Sequence, residues 1–270
     1  MFTVAQRRNE IANATVAHGH SSVAELAAKF DVTQETIRRD LKALEAENLV
    51  HRVHGGAIAP YAAELHNGPG LDQPAATEPS FDQAALHNAH EKLAIAHAAT
   101  RLLPEQAGSV FLDAGTTTAA FANAMAQCYT DQRWTVVTNS LPAAMTLSVT
   151  GVPGVNLLGG PMRTFTRSVI GEEAVNTLDS LRADLAFLGT NAVSESHGLS
   201  TPDPTAAAVK RAMVQQASTV VVLCDSSKFD REYLVTFAHL EDIDVVVTDE
   251  QASPRFLAML RSHNIEVIQP

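Results

Sequence analysis

The thirteen residues Val32-Thr-Gln-Glu-Thr-Ile-Arg-Arg-Asp-Leu-Lys-Ala-Leu44 constrain this chain more than any other stretch. At about 100° per residue, Ile37, Leu41 and Leu44 share one side of a helix, and Glu35, Arg39 and Lys42 lie opposite, flanked by Thr36 and Arg38. One side must pack against a core; the other is polar and partly basic. Upstream, Ser22-Val-Ala-Glu25 reads as a capping box opening a short helix that buries Val23, Leu26, Ala27 and Phe30. Asp31-Val32 forms the tight turn, and Thr33 is a good N-cap for the next helix. In helix-turn-helix geometry the second helix enters a major groove N-terminus first. Gln34, Glu35, Thr36, Arg38 and Arg39 are then the candidates for base and phosphate contacts, with Ser22, Thr33 and Lys42 beside them. A solvated amphipathic helix pair carries the same pattern, so the neighbouring sequence has to decide.

Two neighbouring features favour double-stranded DNA as the partner. Leu49-Val-His-Arg-Val-His-Gly-Gly-Ala57 alternates apolar and polar residues and breaks at a double glycine, as a short strand pair with a turn would. This is a wing, and His51, Arg52 and His54 lie on or near it, within reach of the sugar-phosphate backbone or minor groove. Read as metal ligands, His51 and His54 lack a nearby cysteine or carboxylate to complete a site, so no metal is expected. The second feature is charge. Residues 1 to 60 hold seven Lys/Arg and seven Asp/Glu, whereas the rest hold 12 and 23, which supplies the whole net charge of −11. The acid lies outside the DNA module, where Arg7, Arg8, Arg38, Arg39, Lys42 and Arg52 are expected to gather on one side.

At 270 residues and 46% hydrophobic content, the chain has material for one large or two ordinary cores. The first ten residues show no apolar leader, and no run approaches the roughly 18 apolar residues of a membrane span. The cytoplasm is therefore the expected location, with no membrane partner. Cys128 and Cys224 are read as free thiols, the latter buried behind Thr219-Val-Val-Val-Leu223. Residues 59 to 80 are rich in Pro, Gly and Ala. The expected organisation is a winged helix-turn-helix at 1–58, a linker at 59–88 and a second domain at 89–270.

In the second domain short apolar runs alternate with helical patterns. Strands are expected at Ser109–Asp113, Trp134–Thr138, Val155–Leu158, Asp184–Leu188, Thr219–Cys224 and Ile243–Thr248. Helices are expected at Glu91–Leu103, Thr116–Met125 and Leu141–Val149. Such alternation implies an α/β fold with a mostly parallel sheet, which takes ligands at the carboxyl ends of its strands. Polar residues collect there. Asp113-Ala-Gly-Thr-Thr-Thr118 follows a strand and opens a helix, so Gly115, Thr116, Thr117 and Thr118 can meet a phosphate, although an ordinary strand-to-helix turn reads the same way. Thr138-Asn139-Ser140, Gly159-Gly160, Gly189-Thr190-Asn191 and Asp225-Ser-Ser-Lys228 add hydroxyl, amide and charged groups suited to a polyol. Lys210 and Lys228 are candidates for neutralising a phosphate, and Arg163 and Arg167 carry the same ambiguity between ligand contact and solvated surface.

Taken in order, Val23-Ala-Glu-Leu-Ala27, Thr36-Ile-Arg-Arg-Asp-Leu41, Arg52-Val-His-Gly-Gly-Ala57, Phe111-Leu-Asp-Ala-Gly-Thr-Thr-Thr118, Thr138-Asn-Ser140, Gly198-Leu-Ser-Thr201, Val209-Lys-Arg-Ala-Met213 and Asp225-Ser-Ser-Lys228 resemble the DeoR-type transcriptional regulators over nearly the whole chain. The resemblance implies an N-terminal winged helix-turn-helix and a C-terminal sensor related in fold to ribose-5-phosphate isomerase. It also implies a sugar phosphate effector that releases operator DNA, a homo-oligomer (dimer or tetramer) and no cofactor. Leu188-Gly-Thr-Asn191 and the Asp225 segment are similar to actinobacterial regulators of phosphotransferase sugar and fructose operons, which makes fructose 1-phosphate the first effector to test. Two departures stand out: Ala206 replaces an acidic residue common four positions before the lysine, and an arginine common before the first sensor helix is missing from Ala84–His90. The rival is a sugar-phosphate isomerase fused to a DNA-binding module, with Asp113, Asp203 or Asp225 as general base. A DNA-binding scaffold with an inert sensor is a third reading.

Overall fold

The computed structural model describes residues 4–18, 20–46, 49–53, 55–58 and 79–270, with side chains at all of these except 5, 9, 13, 16–18, 20, 46, 51–53 and 58. The chain divides into two compact units, Met1–Gln73 and Pro74–Pro270.

The first unit is built from α1 (Val4–His18), β1 (His20–Ser22), α2 (Val23–Phe30), α3 (Gln34–Ala46), β2 (His51–Val53) and β3 (Gly56–Ile58). Ile37, Leu41 and Leu44, the apolar stripe of α3, are all fully buried against Ile11 of α1 and Val23 and Leu26 of α2. The cap on α2 uses Ser22 Oγ, which accepts from Ala24 N at 3.2 Å rather than from Glu25. Asp31 makes the turn in the left-handed region at φ 52°, where its N–H meets the last carbonyls of α2. Thr33 Oγ1 then accepts from Thr36 N at 3.2 Å to start α3. The wing strands pair antiparallel in the order β1-β3-β2. Gly56 is required there because a Cβ would sit 2.1 Å from Ser21 O across the ladder.

The second unit begins with α4 (Phe81–Leu86), a helix capped by a Ser80–Gln83 capping box inside the stretch expected to be linker. The order continues α5 (Ala89–Ala99), β4 (Ala107–Leu112), α6 (Thr116–Cys128), β5 (Arg133–Thr138), α7 (Leu141–Val149), β6 (Gly154–Leu157), the hairpin β7 (Met162–Arg163) and β8 (Ser168–Val169), and α8 (Glu172–Asp179). It ends with β9 (Ala183–Gly189), β10 (Ala192–Ser194), β11 (Gly198–Thr201), α9 (Pro204–Gln215), β12 (Ala217–Leu223), β13 (Val235–Ala238), β14 (Val245–Val247), α10 (Pro254–Ser262) and β15 (Glu266–Ile268). Seven strands form one parallel sheet in the order β15-β14-β12-β9-β4-β5-β6. Strands β10, β11 and β13 form a small antiparallel sheet beside it.

Alternation along each strand loads both faces of the large sheet. Phe111, Ala186, Leu188, Val222 and Val246 point to the face covered by α8, α9 and α10, through Leu178, Met213 and Leu260. Val110, Leu112, Phe187, Val221, Leu223 and Val247 point to the face covered by α5, α6 and α7, through Ile95, Phe121 and Leu147. Burial on both sides explains why the strands read as nearly continuous apolar runs.

The chain leaves β4 toward β5 and β6 on one side, then returns to place β9 on the other. The strand order therefore reverses between β4 and β9, and the crevice at their carboxyl ends is where a doubly wound sheet takes ligands.

Cys224 is buried at the end of β12 and burial pushes its thiol well above the ordinary range, whereas Cys128 is exposed. Under native conditions at neutral pH a thiol reagent such as DTNB is expected to titrate one thiol per chain, and the second only after unfolding. Rapid native labelling of two thiols contradicts this packing.

Candidate nucleic-acid interface and ligand cavity

On α3 the polar face is free. Gln34, Glu35, Arg38, Arg39 and Lys42 are exposed, as is Thr33 just before the helix, while Thr36 and, at the start of α2, Ser22 are half-buried. Glu35 lies 3.6 Å from Arg38 and 4.0 Å from Arg39, and Arg38 donates to Gln34 Oε1 at 3.3 Å, so this face carries a loose surface network rather than a packed one. Arg39 keeps 80% side-chain exposure. Arg7 and Arg8 do not join it, contrary to the grouping expected from sequence. Their Nε atoms donate to the two carboxylate oxygens of Asp40, at 2.6 Å and 2.9 Å, and Asp40 is buried. This ion triad ties α1 to the inward side of α3 and sets the rotation at which the exposed face is presented. Arg52 lies on β2 with its side chain outside the described residues, and His54 lies outside them altogether.

In the second unit a cavity of about 470 Å³ opens at the β4/β9 reversal. The sequence candidates Asp113, Gly115, Thr116, Thr117, Asn139, Arg163, Gly189, Thr190, Asn191, Lys210 and Lys228 all line it. Its centre is an ion pair: Lys210 Nζ of α9 donates to Asp113 Oδ2 and, at 2.9 Å, to Gly189 O, while Gly189 N donates to Asp113 Oδ2 at 3.1 Å. Lys210 is thus neutralised by Asp113 rather than left as free positive charge. Arg163 of β7 is buried, with Nε 3.7 Å from Asp203 Oδ2. Asn139 donates through Nδ2 to Val169 O at 3.3 Å, but its buried Oδ1 has no partner among the described residues. Gly115 caps α6, whose first N–H groups, at Thr116 and Thr117, have no carbonyl within the helix to bond.

The other candidates lie outside the cavity lining, for visible reasons. Thr118 is fully buried and donates to Gly115 O within its own helix turn. Thr138 Oγ1 donates to Leu112 O at 2.6 Å and accepts from Ser140 N, tying neighbouring strand ends. Ser140 caps α7 through Ala143 N. Gly159 and Gly160 form the turn into β7; Gly160, at φ 129°, could not carry a Cβ without meeting Ile170 O at 2.9 Å. Asp225 Oδ1 accepts from Asn88 Nδ2 at 2.7 Å and from Ser227 N and Oγ, which makes it a junction behind the cavity. Burial by itself would raise the Asp225 carboxyl, but the hydrogen bonds from Ser227 and Asn88, with Lys228 and Lys92 nearby, outweigh it and hold it below its ordinary value.

Lining residues absent from the sequence candidates include Phe81, His87, Lys92, Thr166, Arg231 and Tyr233. Lys92 is the most consequential. It is buried in the first turn of α5, and its Nζ donates to Ala84 O at 2.5 Å and His87 O at 2.6 Å. Burial lowers its affinity for the proton, partly countered by Asp225. A cation in a helix's first turn works against the helix dipole, and that misfit was the available sequence signal. Five cations, Lys92, Arg163, Lys210, Lys228 and Arg231, line the cavity; Asp113 in the lining pairs with Lys210, and outside the lining Asp203 lies beside Arg163 and Asp225 acts on Lys92 and Lys228, so cations still outnumber carboxylates. Among the described residues no group of three or more His, Cys, Asp or Glu is arranged to hold a metal ion, and no helix is long and apolar enough to cross a membrane.

Exposed helix-turn-helix and ligand cavity together define a DNA-binding transcriptional regulator with its own sensor. Residues 7–62 match the DeoR-like helix-turn-helix domain and residues 87–250 the DeoR C terminal sensor domain. The chain is 36% identical over 245 residues to the HTH-type transcriptional regulator GlpR of Haloferax volcanii, covering 91% of this chain and 89% of the relative. It is 31% identical over 262 residues to the glycerol-3-phosphate regulon repressor of Escherichia coli K12, covering 97% of each. It is 34% identical over 234 residues to an uncharacterized HTH-type transcriptional regulator, FruR, of Bacillus subtilis, covering 87% of this chain and 86% of the relative. The chain belongs to the DeoR family of transcriptional regulators. Among solved structures, ribose 5-phosphate isomerase A from Neisseria gonorrhoeae overlaps 51% of this chain and 52% of its own, at TM-score 0.38 and 17% identity.

Asp40→Ala is expected to lower thermal stability of the first unit by about 3–5 kcal/mol, because it leaves Arg7 buried without its carboxylate. Arg39→Ala, on the exposed side of the same helix, is expected to change stability by less than about 0.5 kcal/mol. Circular dichroism melts of the two full-length variants separate these roles. The lowered Asp225 value gives a second expectation. Stability from an acid held below its ordinary value is complete above about pH 4 and is lost as pH falls through the folded value. Asp225→Asn should therefore flatten the decline in stability below about pH 4, read by urea unfolding of the second unit at stepped pH.

Proposed function

We propose that this chain is a transcriptional repressor of genes for sugar uptake or catabolism, released from its operator by a phosphorylated sugar bound in the cavity of the second unit. It acts in the cytoplasm as a homo-oligomer, dimer or tetramer, so that two α3 helices meet two operator half-sites. Gln34, Glu35, Thr36, Arg38 and Arg39 read bases or hold phosphates. Ser22, Thr33 and Lys42 fix the helix ends on the backbone, and Arg52 and His54 serve from the wing.

The observation that carries the effector reading is the pairing, in one cavity, of excess positive charge with the unpartnered Asn139 Oδ1. A buried acceptor without a donor is costly, and a sugar hydroxyl supplies the donor. The phosphate belongs at the N-terminus of α6, on the Thr116 and Thr117 N–H groups, with Lys92 and Lys228 as counter-charges. Asp113, Lys210, Thr190 and Asn191 then face the polyol. Ala206 lines the same cavity, and its methyl in place of a carboxylate leaves the site more receptive to an anion. The sequence similarity to fructose-operon regulators supports fructose 1-phosphate first; the name of the Escherichia coli relative, a glycerol-3-phosphate regulon repressor, supports testing glycerol 3-phosphate beside it.

Fluorescence anisotropy on the gene's own upstream DNA tests this. Affinity should fall roughly 10³ to 10⁵-fold between 50 and 200 mM salt if each half of a dimer makes several phosphate contacts. Titration with fructose 1-phosphate, fructose 6-phosphate, fructose 1,6-bisphosphate, glucose 6-phosphate and glycerol 3-phosphate should find one compound that releases the DNA. Arg39→Ala should lose operator binding. Thr116→Pro, which removes one of the two N–H groups at the first position of α6, and Lys228→Ala should keep it while needing about ten to a hundred times more effector, the cost of one charge-assisted bond. A normal response in both cavity variants sinks the assigned site.

A further inference from the structure

The segment Pro79–Asn88, with α4 at its centre, walls the cavity through Phe81, Gln83, Ala84 and His87. It is also the segment through which the chain arrives from the first unit. Apolar burial does not hold it: no residue of α4 is buried, and Leu86 is 83% exposed. Polar fasteners hold it at both ends. At its start, Phe81 N donates to Phe165 O at 3.0 Å, and the Arg167 guanidinium donates to Asp82 Oδ2 at 2.6 Å while lying 4.8 Å from the centre of the Phe81 ring. At its end, Asn88 donates to Asp225 at 2.7 Å, and the Lys92 ammonium spans the Ala84 and His87 carbonyls.

Lys92 therefore has two claimants. An ammonium has three N–H donors, and the strap's carbonyls take two of them. A phosphate ester at the α6 N-terminus offers Lys92 a charge-assisted bond about twice as strong as a bond between neutral groups. It also brings negative charge beside carbonyl oxygens at the C-terminal end of α4, which already carry partial negative charge. The third donor can bond the ligand, but the phosphate's charge draws the ammonium away from the two neutral carbonyls and repels them, so ligand and strap compete for the position of one cation.

We infer that residues 79–88 are a ligand-released strap whose latch is Lys92, so that an anionic ligand in the cavity frees the segment leading to the DNA-binding unit. This rests on reading the cavity as a phosphorylated-sugar site. It assigns Lys92 a role in transmission as well as in binding, and it makes Arg167, which does not line the cavity, a positioning residue for the strap.

Hydrogen exchange of the full-length protein, read by mass spectrometry with fructose 1-phosphate, glycerol 3-phosphate or inorganic phosphate, tests the ligand arm. A compound that slows exchange at residues 113–118 should speed it at least tenfold at residues 82–87. Slower or unchanged exchange at 82–87 with protection at 113–118 overturns the strap, and no protection at 113–118 by any compound counts against the sugar-phosphate reading instead. Arg167→Ala tests the strap without ligand. Exchange at 82–87 should rise at least tenfold and operator Kd about tenfold, while a thermal melt shows the parallel sheet intact. Unchanged exchange, or faster exchange with unchanged operator affinity, overturns the inference whatever the ligand experiment shows.

Discussion

The buried ion pair between Lys210 and Asp113 is the interaction on which the second unit's chemistry depends. Asp113 directly follows β4, Gly189 ends β9 and Lys210 stands on α9, so one carboxylate, one ammonium and the N–H and C=O of one glycine tie three elements at the point where the strand order reverses. A buried pair of this kind is weak evidence for added stability, since desolvation cancels much of the attraction, but removing one partner is costly. Its value here is geometric. The crevice of a parallel sheet is held at a fixed width, and the Thr116 and Thr117 N–H groups and the Asn139 carboxamide keep fixed positions around it.

The same device recurs in the first unit with a different consequence. Asp40 sits one residue after the exposed Arg39 and is itself buried between Arg7 and Arg8. Adjacent residues on a helix point about 100° apart, which lets one contact solvent while the next anchors the helix. Presentation of a DNA-contact face depends on such an anchor, because the apolar stripe of Ile37, Leu41 and Leu44 fixes which side is inward but tolerates small rotations.

Much of this was legible in the sequence because it depends on local periodicity. The apolar stripe of α3, the alternation that loads Phe111 to one sheet face and Val110 and Leu112 to the other, and the polar strand ends are properties of neighbouring residues. Eleven of the seventeen sequence candidates for the effector site line the cavity, since strand ends in a parallel sheet converge whatever their spacing in the chain. Those that do not line it were drawn inward by short-range bonds that a sequence does not display, such as Thr138 to Leu112 O. Lys92 was missed because its role comes from carbonyls of a helix placed where linker was expected.

The sequence alone determined that a helix with an exposed basic face begins near Thr33, that a parallel α/β unit follows, and that its strand ends are polar. These follow from side-chain period and from capping chemistry, which act over a few residues. Only the tertiary structure decided which charges are spent internally and which remain for a ligand. Arg7 and Arg8 are consumed by Asp40 and Lys210 by Asp113, while Lys92 and Lys228 flank Asp225 at the cavity edge. Charge compensation depends on distance in space, and residues such as Asp113 and Lys210, 97 positions apart, meet only when the sheet has formed.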